Sequence, residues 1–244
     1  MEKDRGYESS AEYYDIFASK EHVGFFLRQG MQYERALDIG AGTGLIAIPL
    51  ASHCKEVYCV EPSAAMHRVL EMKVGINEEL MRRVHFIPAD AESFKIGRKF
   101  PYVFMSGSFE HIMEGDAKRA MHNIASHMEG GAKLLFDAFL GAMRPSSLKM
   151  TDKVVDGNYE FRRYIQRRID GDKVMLKLIY ETYLNGELTK SSIQYSQSRA
   201  FGLQEVKEVI SDAGLSLLAM YSSYDMKPFR GKEPLLIVEA SKGQ

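Results

Sequence analysis

The segment Asp38-Ile39-Gly40-Ala41-Gly42-Thr43-Gly44 sets three alternate glycines between a short apolar run and the beginning of a helical one. Glycine accepts positive φ and carries no Cβ, so such a turn lets backbone come close to a ligand. The bland alternative is a tight turn with close helix packing. Glu61 follows about twenty residues later at the end of a second apolar run, where a carboxylate can accept both hydroxyl hydrogens of an adenosine ribose. Leu45 stands where a dinucleotide fingerprint needs Gly or Ala, which disfavours NAD, and no Gly-Lys-Ser/Thr follows to make a phosphate-binding loop. A nucleoside cofactor without a pyrophosphate grip is the chemistry these residues favour. Farther on, Ser106-Gly107-Ser108-Phe109-Glu110-His111 forms a polar loop. His111 has an imidazole whose ordinary pKa lies near neutrality, suiting it to general-base work. A group with a lysine-like pKa near 10.4 needs roughly 4–5 kcal/mol to lose its proton at pH 7. The alternative is that His111 only orders its loop or caps a helix. Glu110 is either an anchor for a substrate ammonium or a solvated surface charge.

The elements that must hold these residues alternate. Apolar runs at Arg35 to Ile39, Glu56 to Val60, Val84 to Pro88, Tyr102 to Met105 and Lys133 to Phe136 read as strands. Between them, Leu45 to Ala51, the stretch from Ser63 to Gly75, and the stretch from Asp116 to Gly130-Gly131 carry apolar residues at helical spacing. This alternation predicts an α/β fold with a mostly parallel sheet covered on both faces. The rhythm changes after Gly141: Asp156-Gly157, Asp170-Gly171 and Asn185-Gly186 are hairpin signals between β-rich stretches, predicting an antiparallel β-meander. Leu203 to Ala213 returns to helical spacing, and Leu215 to Tyr221 and Leu235 to Ala240 are two late strands. The expected organisation is residues 1–32 as an amino-terminal helical lid, 33–141 with 199–244 as the main sheet domain, and 142–198 as an antiparallel β insertion. The insertion is expected either to cover the active site or to form a subunit contact, which would make a homodimer. In Tyr159-Glu160-Phe161-Arg162-Arg163-Tyr164, Tyr159, Phe161 and Arg163 share one face. If that face roofs the site, Tyr159 and Arg163 become substrate-binding candidates, Arg163 for a carboxylate or phosphate; otherwise it is a solvated face or a subunit contact.

The chain has 244 residues, with 32 Lys plus Arg balancing 33 Asp plus Glu. This near-neutral balance argues against a nucleic-acid partner, and the lack of a run of about 18 apolar residues argues against a membrane span. The start, MEKDRGYESS, does not read as a secretory signal, and Cys54 and Cys59 make no disulfide framework, so a cytoplasmic protein is expected. His122 and His127 miss the i, i+4 metal spacing, and the two cysteines are not a C-x-x-C pair; no metal is expected.

In order, ALDIGAGTGL, VEPSAAM, PADAESF and SGSFEHI resemble the successive motifs of class I S-adenosylmethionine-dependent methyltransferases. The resemblance implies a Rossmann-like sheet, mostly parallel with an antiparallel last strand, over residues 33 to 141 and 199 to 242. It implies that Asp38, Gly40 and Gly42, with Ala41 between them, line the methionine and ribose portion of S-adenosyl-L-methionine. Glu61, followed by Pro62, would bind the ribose hydroxyls; Met66 and Ala91 would flank the adenine; Asp90 would bond its amino group; Ser106 would sit near the sulfonium. Ala11-Glu12-Tyr13-Tyr14-Asp15 resembles the lid of small-molecule members, with Tyr14 touching the cofactor. With the meander insertion, the chain looks like small-molecule N-methyltransferases, including those acting on amino sugars and glycine-like amines. The partner implied is a small-molecule methyl acceptor, an amine in chemical class; an O-methyltransferase for a hydroxyl or carboxylate would share every cofactor residue, and a noncatalytic S-adenosyl-binding protein would share the pocket. The loop at 106 to 109 lacks an Asn-Pro-Pro-Tyr or Asp-Pro-Pro-Tyr pattern, which argues against nucleobase and glutamine-amide methylation.

Overall fold

The structure, a computed structural model, describes residues 10–112, 117–140 and 144–244. In chain order its elements are α1 (Ala11–Tyr14), α2 (Lys20–Gly30), β1 (Arg35–Ile39), α3 (Ala47–Ala51), β2 (Glu56–Val60), α4 (Ala64–Gly75), α5 (Glu78–Arg83), β3 (Val84–Ile87), β4 (Phe100–Met105), a single 3₁₀ turn (Phe109–His111), α6 (Ala117–Ser126), β5 (Met128–Phe139), β6 (Ser146–Asp156), β7 (Tyr159–Asp170), β8 (Lys173–Leu184), β9 (Glu187–Arg199), α7 (Leu203–Asp212), β10 (Leu215–Tyr221) and β11 (Leu235–Lys242).

Seven strands form one sheet in the order β10-β11-β5-β4-β1-β2-β3. Only β11 runs against its neighbours, antiparallel to both β10 and β5. The sheet is Rossmann-like, with the antiparallel last strand that the sequence resemblance implies. The chain winds outward from β1 through β2 to β3, then returns to place β4 on the other side of β1. That reversal opens a crevice beyond the carboxyl ends of β1 and β4, where open α/β sheets bind ligands. The glycine turn after β1 and the polar loop after β4 meet there.

Burial explains the apolar strands. Val103 and Met105 on β4 face a core completed by α6 and α7 residues such as Met121, Ile124, Val206 and Ile210. Tyr102 and Phe104 face the opposite core with Phe25 and Phe26 of α2 and Leu50 of α3. A strand buried on both faces loses the alternation of a half-exposed one and reads as a continuous run. Helix α4 begins where Ser63 Oγ accepts the Met66 N–H, and α5 where Asn77 Oδ1 accepts from Glu79 and Leu80. The sequence expectation placed a helix stop at Gly130-Gly131. In the structure α6 ends earlier, at Ser126, and both glycines lie inside the longer β5, whose register against β4 shifts near Phe100.

Strands β6 to β9 form a separate four-stranded antiparallel sheet in sequential order. Asn185 and Gly186 form one hairpin turn, both at positive φ as an Asn-Gly turn requires. The other two turns are Gly157-Asn158 and Gly171-Asp172, one residue later than the Asp-Gly signals suggest. The inner face of this sheet grips the amino-terminal segment. Tyr13 stacks on Tyr180 at 4.9 Å and bonds Thr182 through its hydroxyl, and the Arg163 guanidinium lies 5.0 Å from the centre of the Phe17 ring. Asp15, just after α1, binds Thr43 Oγ1 in the glycine turn and Lys73 on α4. The four-stranded sheet, the amino-terminal segment and the glycine turn are thus tied together.

Candidate active site

A cavity of about 730 Å³ lies at the β1/β4 switch point, bounded by the glycine turn, the loops after β2 and β4, Tyr14, and the adjoining ends of β8 and β9. Gly40 sits at φ +76°, and a Cβ there would lie 2.5 Å from Ser108 Cβ. Only glycine lets the turn after β1 and the loop after β4 approach this closely. The Gly40 and Ala41 N–H groups both donate to Val60 O, pinning the turn to the end of β2. Glu61 is buried: its Oε2 accepts the Gly42 N–H at 2.8 Å and its Oε1 accepts the Ser63 N–H at 2.7 Å. These two N–H bonds orient the carboxylate within the cavity wall.

The wall around Tyr14 is acidic. Burial, followed by the nearby charge of Glu61, holds the Asp38 carboxyl well above the usual carboxylate range. Burial, reinforced by Asp137, Glu61, Asp38 and Asp15, pushes the Tyr14 phenol above its ordinary value. Asp137, near the end of β5, is also raised by burial; its Oδ1 accepts the Gly107 N–H at 2.6 Å and its Oδ2 accepts the Tyr224 hydroxyl at 2.7 Å.

Tyr14, Gly40, Gly42, Glu61, Pro62, Met66, Ala91 and His111 all line the cavity. Asp38 and Ala41 are buried behind its surface. Asp90 is not part of the lining; its Oδ1 accepts from the Ser93 N–H and hydroxyl, folding the loop that presents Ala91. Ser106, expected near the sulfonium, is not part of the lining either, and its buried hydroxyl has no protein partner. Glu110 is neither a solvated surface charge nor part of the lining: it is 7% exposed, and its Oε1 accepts the Phe139 N–H at 2.9 Å. Tyr159 and Arg163 also lie outside the cavity lining. Tyr159 is largely exposed, while Arg163 is held by Asp152 at 2.8 Å and covers Phe17. Their face is the inner one, but it meets the amino-terminal segment, and the part of the four-stranded sheet that reaches the cavity is the start of β8 and the end of β9.

Sequence reasoning did not single out Ser108, Asp137, Tyr224, Lys173, Tyr195 or Gln197. Asp137 had a visible signal, a lone acid in the apolar run Leu134 to Phe139. The insertion residues had none, because a meander strand does not show which end will meet a cleft.

His111 closes the 3₁₀ turn after Ser108, and its Nδ1 lies 3.3 Å from Gln197 O. A carbonyl only accepts, so Nδ1 carries the proton in this bond and Nε2 of the neutral ring keeps the lone pair. The cavity thus has two ends. One, bounded by Gly40, Gly42, Glu61, Met66 and Ala91, offers backbone, a carboxylate and apolar flanks for a nucleoside. The other, bounded by His111, Lys173, Leu176, Tyr195 and Gln197, offers an imidazole and mixed polar and apolar groups for a second molecule. The residues fit an S-adenosyl group: a Cβ on Gly42 would meet nothing closer than Tyr14 at 3.8 Å, which leaves room over the turn, and the Glu61 carboxylate lies in the same wall of the cavity.

Residues 36–131 match the family profile described as a methyltransferase domain. No curated protein sequence matches the chain. Among solved structures, the fold is similar to an S-adenosylmethionine-dependent methyltransferase from Clostridium acetobutylicum, at 18% identity and a TM-score of 0.81, covering 98% of this chain and 99% of that one. A sugar N-methyltransferase from Streptoalloteichus is 20% identical, with a TM-score of 0.71 over 92% of this chain and 88% of the other. An amino pentose methyltransferase from Micromonospora echinaspora, solved with S-adenosylmethionine bound, is 16% identical, with a TM-score of 0.73 over 96% of each chain.

Proposed function

We propose that this methyltransferase-domain protein moves a methyl group from S-adenosyl-L-methionine to a small-molecule acceptor, an amine. The observation that carries the proposal is the joining, in one cavity, of a carboxylate bound to the glycine turn, Glu61, and an imidazole, His111. When bound, the cofactor supplies an electrophilic methyl on a sulfonium, giving S-adenosyl-L-homocysteine as product. Glu61 and the Gly40–Gly42 backbone hold the nucleoside end, and Met66 and Ala91 flank its base. Glu61 in the cavity wall, with the buried carboxyls of Asp38 and Asp137 nearby, suits a ligand carrying positive charge, which in turn favours their ionised forms. His111 Nε2 takes the proton of an acceptor ammonium, leaving the amine lone pair for in-line attack. Tyr14 and the β8–β9 edge limit water at the reacting atoms. Correct placement of two reactants alone supplies up to ~7–11 kcal/mol of a displacement barrier.

The sugar N-methyltransferase and amino pentose methyltransferase among the structural neighbours support an amine acceptor through shared architecture. The test is calorimetry with S-adenosyl-L-homocysteine, followed by a screen of amine, hydroxyl and carboxylate metabolites for its release from S-adenosyl-L-methionine. Binding together with amine-dependent release is the expected result; release with hydroxyl or carboxylate compounds alone would replace N- with O-methylation, and no binding would remove the cofactor assignment.

A further inference from the structure

The loop after β4 is fastened to the end of β5 twice, in opposite senses. From strand to loop, Asp137 Oδ1 accepts the Gly107 N–H at 2.6 Å. From loop to strand, Glu110 Oε1 accepts the Phe139 N–H at 2.9 Å. Both acids are buried, 3% and 7% exposed. Gly107 lies at φ +61°, a conformation glycine adopts without strain. Two further bonds spread the loop across the site: Ser108 Oγ donates to Ile39 O at 2.7 Å, and His111 Nδ1 to Gln197 O at 3.3 Å. The other oxygen of Asp137 is held by Tyr224, whose ring packs beside Phe25 of α2.

We propose that Asp137 and Glu110 are positioning residues that act as a reciprocal staple, Asp137 setting the Gly107–Ser108 end of the loop against the cofactor half of the cavity and Glu110 setting His111 against the acceptor half. The proposal rests on the functional reading above. Its basis is the division of the loop: Ser108 abuts Gly40 in the nucleoside half, whereas His111 faces the ends of β8 and β9. Each arm uses a side-chain oxygen to satisfy a backbone N–H, a task that Asn and Gln can also perform and Ala cannot. Protection of the Gly107 and Phe139 N–H groups is what separates the staple from a general packing role.

The test uses the full chain as wild type and as Asp137→Ala, Asp137→Asn, Glu110→Ala and Glu110→Gln. Three quantities are read: amide hydrogen exchange at Gly107 and Phe139, the calorimetric dissociation constant for S-adenosyl-L-homocysteine, and the ring NMR signals of His111. Asp137→Ala is expected to speed Gly107 exchange and weaken ligand binding, each at least about tenfold, with both recovering to within about threefold in Asp137→Asn. Glu110→Ala is expected to speed Phe139 exchange similarly and shift the His111 ring signals, and Glu110→Gln to restore both. Alanine variants with wild-type exchange and binding would overturn the proposal, as would amide variants as impaired as the alanines. Should the alanine variants not fold, the amide variants decide alone: wild-type exchange, affinity and ring signals support the staple, and their loss refutes it. A wild type that binds no S-adenosyl-L-homocysteine would instead overturn the cofactor reading, leaving amide exchange and His111 signals to judge the staple.

Discussion

Replacing Glu110 by Gln should stabilise the protein above neutral pH and have little effect in mild acid. Burial first, and then the charge of Asp137, raise the Glu110 carboxyl from 4.5 to about 7. A folded pKa above the unfolded one means that the native state binds the proton more tightly, so between these two values it holds more protons than the unfolded chain. Stability therefore falls as pH rises from 4.5 through about 7 and levels off above that. A difference of roughly 2.5 pKa units at 1.36 kcal/mol each gives about 3 kcal/mol lost at pH 8 relative to pH 4. Glutamine keeps an oxygen for the Phe139 N–H and has no charge to bury. The expected result is a variant up to about 3 kcal/mol more stable than wild type at pH 8, an increase in melting temperature of roughly 6–12 °C for a chain of this size, with the advantage nearly gone at pH 4.5. The slope contributed by Asp137, also raised by burial, is common to both proteins and largely cancels. Urea unfolding followed by circular dichroism across pH 4.5 to 8.5 makes the measurement. A stability difference that stays constant over that range would refute the reasoning, because it would show that Glu110 does not change protonation between the folded and unfolded chains.

Three more perturbations address the cavity. Gly40→Ala combines a positive φ with a Cβ 2.5 Å from Ser108 Cβ, so we predict a loss of about 1–3 kcal/mol in thermal unfolding and at least tenfold weaker S-adenosyl-L-homocysteine binding by calorimetry; wild-type values for both would disprove the close approach. Glu61→Ala strands the Gly42 and Ser63 N–H groups, which should cost about 1–3 kcal/mol and weaken the same ligand by at least about tenfold, an outcome checked by denaturation and titration. His111→Ala should lower kcat by roughly 10²–10⁴ while the ligand dissociation constant changes less than threefold; turnover at the wild-type rate with an identified acceptor would end the general-base assignment.

Sequence patterning revealed the fold at the level of strand order in time, not in space. Apolar runs such as Tyr102 to Met105 and Lys133 to Phe136 announce buried parallel strands because both faces contact helices. They carry no sign that β4 pairs with β1 on one side and β5 on the other. The half of the cavity proposed for the cofactor was legible because its parts are local: a glycine turn and the residues that end β2 are read from a few adjacent positions each. The half proposed for the acceptor was not, since His111 meets Gln197 across 86 positions of chain and the encounter depends on how the four-stranded sheet folds back. Alternation along β7 correctly grouped Tyr159, Phe161 and Arg163 on one face, but a face has no address, and this one binds Phe17 and its own Asp152.

Glu110 shows the same limit in energetic form. An acid in a polar loop is ordinarily solvated, because burying a charge costs several kcal/mol without compensation. Here the chain buries it beside a second acid, Asp137, and gives each a backbone N–H of the other's segment. Hydrogen bonding alone does not require two acids, since amides would satisfy the same donors without the electrostatic cost. What the acids add is negative potential at the edge of a cavity whose proposed ligand is a cation and whose proposed product has lost one positive charge. The stability given up at Glu110 above pH 7 is then the counterpart of a field that binds the methyl donor more tightly than the demethylated product. Glu110→Gln should separate the two effects, gaining stability at pH 8 while narrowing the affinity ratio between S-adenosyl-L-methionine and S-adenosyl-L-homocysteine; an unchanged ratio by calorimetry would show that the buried charge plays no part in that discrimination.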